Sequence, residues 1–170
     1  MATRTAGQEA PAFQLKTLEG VNVTLAEALA KGPAVVAFFK IGCPTCQFTF
    51  PFLQRMFERF GGPGWTLWGI SQNAADKTRA FCAEFGVRFP VLLDDAGYIA
   101  SNAYGITNVP TIFLIAPDGT IRLSSVGFAK HEIEEVAAAA ARASGNTVDA
   151  QIAAAAVFRP GESVPAFKPG

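Results

Sequence analysis

An α/β sandwich with a mixed central sheet, flanked by helices, is the fold class this sequence predicts. Three observations predict it. Strand-sized apolar runs alternate with stretches whose apolar residues recur every three or four positions, as strands alternating with helices require. A late Pro117-Asp118-Gly119-Thr120 turn sets two apolar runs back to back, so the last strands form an antiparallel hairpin rather than a parallel crossover. The chain has 170 residues, 50% hydrophobic and 16% charged, which is enough for one core of ordinary domain size.

The elements follow in order. Across residues 10–25, Pro11 is followed by alternating apolar positions (Phe13, Leu15, Leu18, then Val21, Val23, Leu25) on either side of Glu19-Gly20, which predicts a small N-terminal β-hairpin extension laid on the domain. Thr24 can cap a short helix reaching Ala30, ended by Gly32-Pro33. The run 34–39 reads as a buried central strand. After Cys46, the residues Phe48, Phe52, Leu53, Met56, Phe57 and Phe60 have helical spacing, stopped at Gly61-Gly62-Pro63-Gly64. Pro51 lies inside that helix, where it removes one N–H and crowds the preceding turn, so a kink is expected.

Residues 65–71 form the next expected strand. A helix over 74–85 follows, with Ala74, Thr78, Phe81, Cys82 and Phe85 on one face, ended by Gly86. Residues 89–93 make a short strand behind Pro90, and 95–104 a helical turn. Residues 111–116 make a buried strand that returns over 120–126 until Gly127 breaks it. A helix over 130–143 closes the domain, and the Ala-rich segment 148–157 adds another. The tail from Phe158, with Pro160, Pro165 and Pro169, is expected to be extended and partly loose. The expected organisation is a flexible segment 1–9, one domain over 10–145 and a helical, proline-rich extension over 146–170, with no internal repeat.

Composition excludes several functions. Lys+Arg and Asp+Glu both number 14, and the basic residues Arg55, Arg59, Lys77, Arg79 and Arg88 are scattered, so neither nucleic acid nor an anionic membrane is an expected partner. Residues 1–10 lack the apolar core of a secretory signal, and the longest apolar runs are strand-sized and broken by Lys40, Arg122 or Arg142. The expectation is a cytoplasmic protein, a monomer or weak dimer. There are 3 cysteines, too few and odd for a disulfide-stapled framework. In an intracellular chain, C-x-x-C beside β-α patterning points to redox work.

That motif is Cys43-Pro44-Thr45-Cys46. The strand 34–39, a break at Gly42 and then a helix place Cys43 at or just before a helix N-terminus. Unpaired N–H groups and the positive end of the helix dipole favour an anion there. A thiol so placed loses its proton more easily, and the thiolate is the nucleophile. Two thiols this close can also join as a disulfide, so the expected chemistry is reversible thiol–disulfide exchange. Lys40 is a nearby cation that would assist if it pointed inward; a strand-end lysine in water is the simpler reading.

These residues resemble the thioredoxin superfamily. Within it they resemble the redoxin branch: thiol–disulfide oxidoreductases of the TlpA and ResA type and the related alkyl hydroperoxide reductase/thiol-specific antioxidant peroxiredoxins. The opening Ala10-Pro11-Ala12-Phe13-Gln14-Leu15 and the Glu19-Gly20-Val21 turn are similar to that branch's N-terminal hairpin. Phe38-Phe39 before Cys43-Pro44-Thr45-Cys46 resembles its active-site strand and loop, and Pro51 its helix kink. Val109-Pro110-Thr111 resembles its cis-proline loop, and Pro117-Asp118-Gly119 the hairpin that follows.

The resemblance implies a thioredoxin-like three-layer sandwich over roughly one domain. It implies that Cys43 attacks, that Cys46 resolves the mixed disulfide, and that Pro110 faces the sulfurs while the Val109 backbone receives an extended substrate. Pro44 and Thr45 would line the site. The implied partners are a protein or small disulfide or dithiol substrate and a thiol electron donor, with no organic cofactor. The sequence departs from the family where an acid is expected: Ala37 stands on the strand before the motif and Thr49 stands soon after it.

Rival readings come from the same residues. Cys43-Pro44-Thr45 resembles the Cys-Pro-Thr of some peroxiredoxins, which makes a thiol-dependent peroxidase with Cys43 as its peroxidatic cysteine the alternative. The threonine and proline expected upstream are replaced by Lys40 and Val36, and only Arg88 or Arg122 offers a peroxide-activating arginine. Cys82 reads as core packing rather than as a resolving thiol. A zinc site would need Cys82 and His131 beside the C-x-x-C pair, without the usual ligand spacings, so no metal is expected. His131, the only histidine, reads as a surface residue opening a helix. Phe48 or Phe50 could form an apolar rim round the sulfurs. A thioredoxin fold that only binds would not need both cysteines and Pro110.

Overall fold

The computed structural model describes residues 2–170. Seven strands form one mixed sheet in the order β2-β1-β5-β4-β3-β6-β7. The N-terminal hairpin is β1 (Gln14–Thr17) and β2 (Asn22–Thr24), paired antiparallel. Thr24 then caps α1 (Leu25–Leu29), its hydroxyl accepting from the Glu27 N–H. The central strand β3 (Ala34–Phe39) is buried at every residue. It runs parallel to β4 (Thr66–Ser71) and antiparallel to β6 (Thr111–Ile115). The short β5 (Val91–Leu93) joins β4 to the hairpin, and β7 (Ile121–Val126) closes the far edge.

Helices cover both faces, giving the expected three layers. On one face α2 (Pro44–Phe60), α5 (Lys130–Ala143) and α6 (Ala150–Val157) pack on the sheet together with Phe81 of α3 (Ala75–Phe85). On the other lie α1 and α4 (Ile99–Tyr104). Alternation along β3 divides its side chains between the layers: Val35, Ala37 and Phe39 face the first core, Ala34, Val36 and Phe38 the second.

Aromatic rings fill both cores. Phe39 lies 4.3 Å from Phe50 and 4.9 Å from Phe81, centroid to centroid. Across the sheet Tyr104 stacks near Phe38 and Phe113 at 5.3 and 5.1 Å. Its buried hydroxyl donates to the Pro11 carbonyl at 2.8 Å. Gly69 on β4 is a packing requirement: a Cβ there would stand 3.2–3.3 Å from the rings of Phe39, Phe50 and Phe89. Helix α2 continues past Pro51 to Phe60 and leaves the Gln47 carbonyl without its usual N–H partner.

Both termini differ from expectation. The segment expected to be flexible is tied down: the Thr3 hydroxyl donates to Gly105 O (2.7 Å), and the N–H groups of Arg4 and Gly7 donate to Tyr104 O and Ile121 O (3.0 and 2.8 Å). The tail expected to be partly loose folds back over α2. Phe158 stacks on Phe52 at 4.9 Å, and Arg55 grips Glu162 with two hydrogen bonds of 2.7 and 2.9 Å. Beyond them β9 (Phe167–Lys168) pairs antiparallel with β8 (Phe128–Ala129), a two-stranded sheet absent from the sequence reading. Each strand is two residues long, too short to show a period, and the pairing joins segments about forty residues apart, which local pattern does not report.

Candidate active site

Cys43 caps α2. Its backbone is extended (φ −87°, ψ 112°), Pro44 takes the first helical position, where a missing N–H costs nothing, and the Cys43 sulfur accepts the Cys46 N–H at 3.0 Å. Half-buried Cys43 therefore has an amide donor aimed at its sulfur, where negative charge sits before that sulfur attacks and returns when it leaves. Across the cleft, the Cys43 thiol donates to the Val109 carbonyl at 3.3 Å. The Val109–Pro110 peptide is cis. One turn into the helix, Cys46 is fully buried. Burial first, and then contact with Cys43, pushes its thiol well above the ordinary range, so it waits as a neutral thiol. Both cysteines are free.

The loop carrying Cys43 is held from three sides. Asn73 Oδ1 accepts the Ile41 N–H at 3.0 Å, Gln47 Nε2 donates to Ile41 O at 2.9 Å, and the Cys43 N–H donates to Lys40 O at 3.3 Å. The opposing loop is pinned by the Thr111 hydroxyl donating to Asn108 O at 2.7 Å. Asn73 and Gln47 escaped the sequence reading. Gln47 carried a signal, a polar residue directly after Cys46, but Asn73 is thirty-two positions from its partner.

The other expected site residues are distributed as follows. Thr45 is buried, and its hydroxyl donates to the carbonyl of Pro169 in the tail at 2.6 Å. Pro44 is exposed at the helix start. Lys40 is exposed as well, at the rim of a cavity of about 80 Å³ that it shares with Gln72, Asn108 and Val109. Phe50 belongs to the core, while half-buried Phe48 packs on Phe52 and Phe128 at 5.3 and 5.0 Å. Ala37 and Thr49 are fully buried, and the Thr49 hydroxyl donates to Thr45 O at 2.7 Å, so neither position brings a carboxylate to Cys46.

Residues named by the rival readings lie elsewhere. Arg88 pairs with Glu58, and Arg122 lines a groove with His131, Glu134 and Arg142 along β7, α5 and α6. His131 is exposed and 3.1 Å from Glu135. Cys82 is half-buried and packs against the core as expected, with burial and then Glu19 pushing its thiol up to about 11. Among the described residues no three His, Cys, Asp or Glu side chains gather as metal ligands.

Fold and site together define a thioredoxin-like protein with a C-x-x-C pair at the start of its first long helix. The chain belongs to the AhpC/TSA family, which it matches over residues 6–124. Thiol-disulfide oxidoreductase ResA of Halalkalibacterium halodurans is 30% identical over 132 residues, 76% of this chain and 74% of that protein. ResA of Bacillus subtilis is 30% identical over 118 residues, 68% of this chain and 64% of that protein. Among solved structures, the thioredoxin domain of a thiol-disulfide oxidoreductase from Bacteroides vulgatus has a TM-score of 0.67 at 24% identity, covering 74% of this chain and 91% of its own. A secreted Mycobacterium tuberculosis disulfide oxidoreductase homologous to E. coli DsbE has a TM-score of 0.57 at 26% identity, covering 64% of this chain and 79% of its own.

Proposed function

We propose that this chain is a thiol–disulfide oxidoreductase that exchanges the Cys43–Cys46 dithiol and disulfide with a protein or small disulfide. The Cys43 thiolate attacks one sulfur of the substrate disulfide. A Cys43–substrate bond forms, the substrate S–S bond breaks, and the departing thiolate takes a proton from solvent. Cys46 then loses its proton and attacks the Cys43 sulfur, closing the Cys43–Cys46 disulfide and releasing the second substrate thiol. Two electrons pass to the substrate, and a thiol electron donor restores the dithiol; the reverse sequence oxidises a substrate dithiol.

The observation that carries this reading is the Cys43 sulfur held between the Cys46 N–H and the Val109 carbonyl. It is supported by the thiol-disulfide oxidoreductase relatives. The two arginines considered for the peroxidase alternative lie elsewhere: Arg88 pairs with Glu58, and Arg122 lines the groove along α5 and α6. Parallel assays separate the two. Insulin reduction driven by dithiothreitol accelerates with the protein and is lost in Cys43→Ser, while hydrogen peroxide is consumed no faster than by Cys43→Ser. Peroxide turnover through Cys43 without insulin reduction would reverse the assignment.

A further inference from the structure

Residues 166–170 touch both the start of the helix that carries Cys43, at Thr45, and the loop that faces it, at Asn108 and Val109. The Lys130 N–H donates to Ala166 O at 2.9 Å, and Phe167 and Lys168 continue the pairing along Ala129 and Phe128. That strand begins just after Gly127, whose N–H donates to Pro110 O at 2.8 Å. Pro169 O takes the Thr45 hydroxyl from between the two cysteines. Gly170 lies so close to the Val109 carbonyl that a Cβ on it would stand 2.6 Å from that oxygen, and its own carbonyl accepts from Asn108 Nδ2 at 3.3 Å. The tail pairs with the extended β8 segment beside the Val109–Pro110 loop by main-chain hydrogen bonds, the mode by which extended peptides are recognised. The tail and β8 lie outside the segment 6–124 that matches the family, while Thr45, Asn108 and Val109 lie within it.

The hold is uneven. Up to Glu162 the tail is anchored by the paired Arg55 contact and the Phe158 stack. Beyond Pro165 it has, among the described residues, no ion pair and no buried side chain. It rests on the two-residue β8–β9 pairing and on single hydrogen bonds from Lys130, Thr45 and Asn108, with Phe167 57% exposed and the Lys168 ammonium over the Phe48 ring at 5.0 Å. Isolated pairings this short are marginal in water, so residues 166–170 can lift while the anchor stays.

We propose that residues 166–170 are an internal occupant of the edge where an extended, disulfide-bearing polypeptide docks, so that a protein substrate must displace them while a small disulfide reaches Cys43 with them in place. This rests on the oxidoreductase reading above and assigns it a substrate preference. The apparent affinity for a protein substrate is lowered by the fraction of molecules in which the edge is free, and removing the occupant restores it.

The test compares the full chain, a variant lacking 166–170, and Lys168→Pro, which keeps the length but removes one backbone donor from the strand. Two substrates are used, insulin and 5,5′-dithiobis(2-nitrobenzoate). In both variants kcat/KM for insulin rises about tenfold, the change expected when a site about nine-tenths occupied is freed. The value for the small disulfide moves by less than twofold. Equal changes for both substrates, no change in either, or a loss with insulin alone in Lys168→Pro overturn the proposal. If the full chain turns over neither disulfide, the oxidoreductase reading fails and this one with it. If the full chain turns over both at rates the variants leave unchanged, only the internal occupant is rejected.

Discussion

The Cys43 sulfur lies 3.3 Å from the carbonyl oxygen of Val109, sixty-six positions further along the chain. This contact joins the start of α2 to the loop ahead of β6, and β3 makes it possible. Strand β3 delivers the cysteine loop from its C-terminal end and pairs directly with β6, so the two loops emerge side by side. The site is therefore as rigid as the supports of its loops, and those supports can be tested one at a time.

Asn73→Ala removes the acceptor for the Ile41 N–H. One hydrogen bond of this kind is worth about 0.5–1.5 kcal/mol, so urea unfolding should show a loss of that size. The exchange rate should fall severalfold, because the loop placing Cys43 is freed on one side. Unchanged exchange kinetics beside the stability loss would show that Gln47 and the Lys40 carbonyl hold the loop unaided.

Phe50 joins α2 to Phe39 of β3, to Phe81 of α3 and to Phe89 ahead of β5, and it is fully buried. Phe50→Ala should cost roughly 3–5 kcal/mol, the usual range for emptying a buried aromatic site. Gly69→Ala approaches the same rings from β4 and should cost about 1–3 kcal/mol by overpacking. A cost under about 1 kcal/mol for Phe50→Ala would mean that the aromatic cluster is not well packed around it. Both are read as shifts in the urea midpoint.

The reduced protein should lose stability as the solution becomes alkaline. Cys46 holds its proton more tightly folded than unfolded, because burial disfavours the thiolate, and Cys82 is shifted the same way to about 11. Below the unfolded thiol range both states are protonated and stability is unaffected. Above about pH 8.5 the unfolded chain loses its thiol protons first, and stability falls by up to about 1.4 kcal/mol per pH unit for each such group. Urea midpoints of the reduced protein between pH 7 and 10 should decline, and Cys46→Ser should flatten the decline. A flat profile in the reduced parent would contradict the burial of Cys46.

Much of this architecture was legible because it is local. The run 34–39 became β3 without a shift in either boundary, and 130–143 became α5 in the same way, since continuous apolar runs and helical spacing report directly on burial. Cys43 at the head of α2 follows from the Gly42 break and from Pro44, which suits a first helical turn. What escaped was long-range: the β8–β9 pairing, the Asn73 support of Ile41 and the Thr45–Pro169 contact each depend on tertiary placement. The α3 face packs as expected but is only partly covered, with Cys82 and Phe85 half-buried against the core. Of its five expected apolar-face positions, the structure fully buries Thr78 and Phe81 within the helix, because α3 lies at the edge of the core.

The account turns on the order in which the two sulfurs act, and trapping reads that order directly. Cys46→Ser is mixed with an excess of oxidised insulin, quenched with acid and mapped by mass spectrometry. A mixed disulfide should accumulate on Cys43, with turnover reduced to background. Intact turnover in Cys46→Ser, or an adduct on Cys82 in place of Cys43, would contradict it.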